Sequence, residues 1–142
     1  MTERKVLLTV RTVQLVPGEL PDIMELQSEG VLQKFDDRVE ISYLETQMTG
    51  LEGVTTTFTL YGDNEMTLTR DGEKLKNKMV FRVGEKTDSL YDVGFGALLV
   101  SISTQQIKKN LQKGEFFVEY TVEVEHTFMG TNTYNVSFRY LD

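Results

Sequence analysis

Apolar and polar positions alternate along most of this chain with a period of two, in runs rich in Val, Ile, Thr, Tyr and Phe that Gly and Asp interrupt. That period belongs to strands, whose successive side chains point to opposite faces. About ten strands follow from it. The first runs from Arg4 to Val16 and closes on Pro17-Gly18. The second spans Asp22 to Phe35, and Asp36-Asp37 turns it into a third, Arg38 to Glu45. A polar segment with Gly50 and Gly53 leads to the fourth, Val54 to Tyr61. Gly62-Asp63-Asn64 opens the fifth, Glu65 to Arg70, and Asp71-Gly72 is a strong hairpin signal before the sixth, Leu75 to Val83. The seventh is Lys86 to Val93, and the eighth starts at Ala97. The ninth spans Glu115 to Phe128 and the tenth Asn132 to Tyr140.

Two stretches carry some helical signal. Ile23 to Gln27 is too short. Thr104 to Lys113 has a capping Thr104, Ile107 and Leu111 four apart, and Gly114 to stop it. Its alternative is an eighth strand that continues through Ile107 and turns at Lys113-Gly114. No helix is long enough for a βαβ crossover, so the strands form an antiparallel meander. Ten strands in an open sheet would leave two self-associating edges, which closure into a barrel removes. A two-sheet sandwich is the second choice.

Alternation also assigns faces. Inward positions are Met24, Leu26, Gly30 and Leu32; Val39, Ile41 and Tyr43; Val54, Phe58 and Leu60; Met66 and Leu68; Leu75, Met79, Phe81 and Val83. Leu98, Val100 and Ile102 continue the set, then Phe116, Val118, Tyr120, Val122 and Val124, then Tyr134, Val136, Phe138 and Tyr140. Four polar residues break these apolar faces: Glu45, Arg70, Asn77 and His126. Glu45 and Arg70 each end a strand, which places them at a barrel mouth. A partly solvated ion pair closing the barrel is their first reading and contact with a ligand their second.

Composition narrows the chemistry. The 142 residues fit one domain, and a chain of that length buries roughly 68–70% of its unfolded surface, enough to fold without a staple. The lack of cysteine excludes thiol catalysis and thiolate metal sites. A net charge of −7 opposes nucleic acid and anionic membrane, which need Lys and Arg to neutralise phosphate. Lys74, Lys76, Lys78 and Arg82 share the outer face of the sixth strand, where lysines commonly act against aggregation. Arg11 interrupts the only early apolar run, so no export signal is expected and a cytoplasmic location follows. The sequon Asn135-Val136-Ser137 lies inside a strand.

No complete catalytic, metal or nucleotide motif is present. His126 is the only histidine, too few for zinc, and no serine sits in a nucleophile elbow. Gly94-Phe95-Gly96 lacks a third glycine and leads into a strand, where a phosphate loop needs a helix. Asp63-Asn64-Glu65 lacks the glycine and distal glutamate of a calcium loop. The acidic pairs Asp36-Asp37 and Asp88/Asp92 sit in turn or edge positions, which suit solvated carboxylates.

The pattern resembles the YwiB-like family of small bacterial proteins over nearly the whole chain. The resemblance rests on Tyr43-Leu44-Glu45 followed by Gly50 and Gly53; on Leu68-Thr69-Arg70-Asp71-Gly72; and on Met79-Val80-Phe81. Tyr91, Gly96, Ile102-Ser103-Thr104 and Gly114 leading into Val118-Glu119-Tyr120 complete it. It departs at Asp92-Val93-Gly94-Phe95-Gly96, where the family is expected to show a Thr-Pro-Tyr-Gly-like turn. The resemblance implies a calycin (lipocalin-like) barrel over residues 1–142, an extended Thr104 to Lys113, and no particular activity.

Three functional readings follow. The first is a binding or sensing module that holds a small, mainly apolar ligand in the barrel, because Met24, Met66 and Met79 with several aromatics suit an irregular apolar guest. Its candidate contacts are Tyr43, Glu45, Arg70, Phe81, Tyr120 and His126. The second is a filled barrel that acts as an interaction protein through its outer surface. The third is an enzyme with a carboxylate at the mouth, although no catalytic residue is assigned. No cofactor or metal is expected, nor a nucleic-acid or membrane partner, and the chain is expected as a monomer or homodimer.

Overall fold

A computed structural model describes residues 2–73, 75–92 and 95–141, with Asp92 given by its backbone alone. Ten strands form one antiparallel sheet: β1 (Thr2–Leu15), β2 (Asp22–Lys34), β3 (Val39–Leu44), β4 (Thr55–Tyr61), β5 (Glu65–Asp71), β6 (Lys76–Arg82), β7 (Lys86–Asp92), β8 (Ala97–Asn110), β9 (Glu115–Val124) and β10 (Thr127–Tyr140). A single 3-10 turn, Gln47–Thr49, interrupts the β3–β4 connection. Among the described residues no helix is long and apolar enough to cross a membrane.

The sheet runs in the order β6-β5-β4-β3-β2-β1-β10-β9-β8-β7. It is therefore a meander whose last strand returns to the first, with Val6 opposite Tyr140 and Leu15 opposite Thr131. The sheet curls into a nearly closed barrel, which rules out the two-sheet sandwich. Closure is incomplete between β6 and β7. That seam is held by an isolated parallel bridge, Val83 to Thr104, and by Thr87 Oγ1, which donates to the Val80 carbonyl at 2.7 Å. The edges that closure was expected to abolish are thus stitched together rather than laddered.

Alternation places the core where the pattern predicts. Val6, Leu8, Leu32, Ile41, Phe58, Leu60, Met66, Leu68, Phe81, Ile102, Phe116 and Val118 are fully buried and fill the lumen. Gly30 makes one close approach possible: a Cβ there would run into the Ser42 carbonyl oxygen and Leu8 Cδ1.

Several local expectations are corrected. Thr104 to Asn110 is strand, as the resemblance implied, and the helical spacing has a concrete origin. A β-bulge skips Gln105, so Thr104 pairs with Tyr120 while Gln106 pairs with Glu119. The bulge moves Ile107 onto the inner face opposite Val118, and inward positions at 104, 107 and 111 imitate a helix stripe. The ninth strand stops at Val124 rather than Phe128. Glu125 and His126 form a tight turn with φ of 49° and 69°, and the tenth strand begins at Thr127. His126 is therefore exposed on a turn and faces no lumen. Met24 has inward parity but lies beyond the barrel end and is exposed. Lys74 and the Val93-Gly94 part of the divergent loop lie outside the described residues.

Candidate functional site

In an antiparallel meander every connection that follows an odd-numbered strand lies at the same end of the barrel. The β1–β2, β3–β4, β5–β6, β7–β8 and β9–β10 connections share one mouth, and the inward residues near it form a polar, aromatic cluster. Tyr43, Thr56, Arg70 and Asn77 stand directly opposite one another across β3, β4, β5 and β6. Side chains aligned this way lie close enough to interact.

Glu45 follows Tyr43 on the same parity and is buried. Its Oε2 accepts from Thr56 Oγ1 at 2.6 Å and its Oε1 from Thr49 Oγ1 at 3.1 Å. A carboxylate inside the barrel is tolerable because hydroxyls supply its hydrogen bonds. The second of these bonds also ties down the 3-10 turn. Arg70 is half-buried and donates from Nη2 to the Tyr134 hydroxyl of β10 at 2.9 Å. Its Nε is buried without a hydrogen-bond partner, and so are Asn77 Oδ1 and Asn132 Oδ1.

Glu45 and Arg70 thus sit in one cluster without forming a direct ion pair. Glu45 is bonded to Thr56 and Thr49 and Arg70 to Tyr134, and the two charges act on each other at longer range. Burial works against the Arg70 charge, yet Tyr134, Glu45 and Tyr43 together hold its pKa above the ordinary guanidinium value. Burial pushes the Tyr43 phenol far above its usual range, and the Glu45 charge adds to the shift. Tyr120 is shifted upward mainly by burial and then by Tyr134. Tyr91, on β7, is also raised by burial, with Arg70 acting in the opposite sense. All three phenols are held neutral.

Ring contacts join the cluster across the lumen. Phe81 and Tyr120 have centroids 4.7 Å apart, Tyr120 and Tyr134 stack at 6.3 Å, and Tyr134 meets the edge of Phe58 at 5.7 Å. Tyr43 stacks on Phe58 at 6.4 Å. Five sequence candidates, Tyr43, Glu45, Arg70, Phe81 and Tyr120, therefore belong to one connected group, from which His126 is separate. Tyr134, Tyr91, Thr56 and Asn132 complete the group. Tyr134 already had inward parity in the sequence, and Asn132 shares it; what the sequence lacked was a sign that β10 faces β5 across the lumen. Among the described residues no group of three or more His, Asp or Glu is placed to hold a metal ion.

The mouth has a second property. Among the described residues, every exposed large apolar side chain except Leu141 lies at this end. Leu15, Leu20, Ile23 and Met24 flank the β1–β2 connection, and Leu44 and Met48 the β3–β4 connection. Leu90, Phe95 and Leu98 flank the β7–β8 connection, and Phe128 and Met129 follow the β9–β10 turn.

Comparison with known proteins agrees with this architecture. A family model described as a domain of unknown function (DUF1934) matches residues 8–136. The crystal structure of ywiB protein from Bacillus subtilis is similar at a TM-score of 0.74 and 22% sequence identity, covering 95% of this chain and 92% of that chain. That match bears out the barrel implied by the YwiB-like resemblance. No curated protein matches.

Proposed function

The chain belongs to the DUF1934 family, and we propose that within it this protein is a binding or sensing module that takes a small, mainly apolar ligand at the barrel mouth. The observation that carries this reading is the one-sided placement of exposed apolar side chains around an inward aromatic cluster. Scattered surface apolar residues need no explanation, whereas their confinement to one end does. The opposite half of the barrel is filled by Phe58, Phe116, Leu8 and Leu32, so a guest sits in the mouth half, against Leu98, Met24 and the tyrosines. The earlier notion of a methionine-lined interior narrows accordingly: Met66 and Met79 fill the core and Met24 belongs to the rim. A cytoplasmic location goes with this reading, and the acidic charge of the chain opposes nucleic-acid or anionic-membrane partners.

The test is titration of the full chain with neutral environment-sensitive dyes such as Nile red, beside a Leu98→Trp variant that narrows the mouth. Saturable binding that the variant weakens by tenfold or more is the expected result. Absence of saturable binding would end the reading.

One observation favours a second reading, an interaction protein that uses its outer surface. Leu15, Ile23, Leu90 and Phe128 have outward parity near the mouth. Self-association measured by analytical ultracentrifugation, and lost in Leu15→Ser with Phe128→Ser, would support it.

A further inference from the structure

The binding reading leaves the chemistry of the ligand open, and the buried polar atoms of the mouth bear on it. A guanidinium has five N–H donors and no acceptor. Arg70 uses one of its donors on the Tyr134 hydroxyl, while its Nε–H is buried with no partner. The nearest anionic side chain, Glu45, already accepts from Thr49 and Thr56, and it makes no ion pair with Arg70. Asn77 stands directly opposite Arg70 on β6, yet its Oδ1 is likewise buried and unpartnered. A half-buried guanidinium with no carboxylate partner, set within an aromatic wall, is the complement of an anionic acceptor on an aromatic or branched body.

Resting on the binding reading above, we propose that the mouth takes a compact organic carboxylate, aromatic or branched, whose carboxylate docks on the half-buried Arg70 guanidinium and the Tyr134 hydroxyl. The two groups are arranged for this. Tyr134 accepts from Arg70 Nη2, which leaves its own hydrogen free to donate, so a guanidinium N–H and the O–H together offer one donor to each carboxylate oxygen. The body of such a ligand stacks against Tyr134, the half-buried ring that itself lies 11° from parallel to Tyr120 beneath it. The filled lower lumen favours a compact acid over a long extended chain. Nothing in this arrangement requires the phenols to ionise.

The experiment compares 2-naphthoate with 2-naphthalenemethanol, probes of similar body that differ in the charge of the head. Each is titrated calorimetrically into the full-length wild-type chain, Arg70→Met and Tyr134→Phe, with circular dichroism confirming that each variant is folded. The carboxylate should bind the wild type at least tenfold tighter than the alcohol. Arg70→Met should remove that preference, and Tyr134→Phe should reduce it. Should Arg70→Met fail to fold, Arg70→Lys serves instead: it keeps the charge, removes the fork, and should narrow the preference for the carboxylate over the alcohol. Equal affinity of the wild type for both probes overturns the carboxylate proposal and leaves the apolar binding site standing. A preference that survives in Arg70→Met overturns it too, by placing the anion elsewhere. Failure of both probes, together with failure of the neutral dyes, overturns the binding reading itself.

Discussion

Arg70 on β5 and Tyr134 on β10 are hydrogen-bonded at 2.9 Å although their strands are not neighbours in the sheet. The bond spans the lumen, so it joins two walls of the barrel that no backbone ladder connects. Residues 64 positions apart in sequence meet here because the sheet closes on itself.

This bond should be visible in a double-mutant cycle. Tyr134→Phe leaves a guanidinium donor unmatched in a partly wet mouth and should cost about 1–2 kcal/mol. Arg70→Met combined with Tyr134→Phe should cost less than the sum of the two single changes. Glu45→Gln with Arg70→Met should show a weaker coupling, since those side chains share a cluster without touching. Urea unfolding of all variants checks both cycles, and additivity within about 0.3–0.5 kcal/mol for Arg70 and Tyr134 would mean that the bond is not formed.

Burial of neutral tyrosines predicts the alkaline limit of stability. An unfolded tyrosine titrates near pH 10, and Tyr43, Tyr91 and Tyr120 are all raised above that value in the fold. Between the unfolded and folded pKa values the folded state binds more protons. The stabilisation is therefore complete below about pH 10 and is lost as the pH rises beyond it. Unfolding free energy should be flat from pH 7 to 9 and fall above 10. Tyr43→Phe removes one of these titrations, so its curve should fall less steeply than that of the wild type.

Gly30 tests the closeness of the β2–β3 pairing. An alanine methyl would meet the Ser42 carbonyl, which is backbone, as well as the flexible end of Leu8. Gly30→Ala should destabilise by about 1–3 kcal/mol through overpacking. Thermal denaturation measures it, and a neutral result would show that the two strands can move apart at little cost.

The turn at Glu125 and His126 holds two non-glycine residues at positive φ. Such a conformation costs an L-residue roughly 1–2 kcal/mol, which glycine avoids. His126→Gly should therefore raise stability by about 1 kcal/mol and the melting temperature by roughly 3–5 °C. Glu125 is better left in place, because its Oε1 accepts from the Leu99 amide at 2.9 Å. A loss of ligand affinity in His126→Gly would return the histidine to the site.

The alternation that made the strands readable also explains where reading stopped. Inward Phe58, Phe81, Phe116 and Val118 were legible because period two holds along their strands without interruption. Ile107 was not, because a bulge changes parity and leaves a helix-like spacing. His126 had the right parity for a longer β9, and nothing short of the turn geometry shows that the strand ends before it. For the site, parity placed Tyr43, Glu45 and Arg70 on the inner wall. The choice of partner across the lumen depends on strand tilt and register, which parity alone does not carry. That is why the expected Glu45 to Arg70 pair gave way to Glu45 with Thr56 and Arg70 with Tyr134.

The pairing of the first strand with the last has a consequence for synthesis. A ribosome releases β1 long before β10, and until Thr127–Tyr140 emerges one edge of β1 has no strand to pair with. Val6, Leu8 and Val10 stand on that open edge strand, a template for pairing between nascent chains. Barrel closure awaits the emergence of β10, so the growing chain depends on its β1–β2 hairpin, whose ladder runs from Thr2 with Lys34 to Gln14 with Asp22, to keep the strand occupied on its other side.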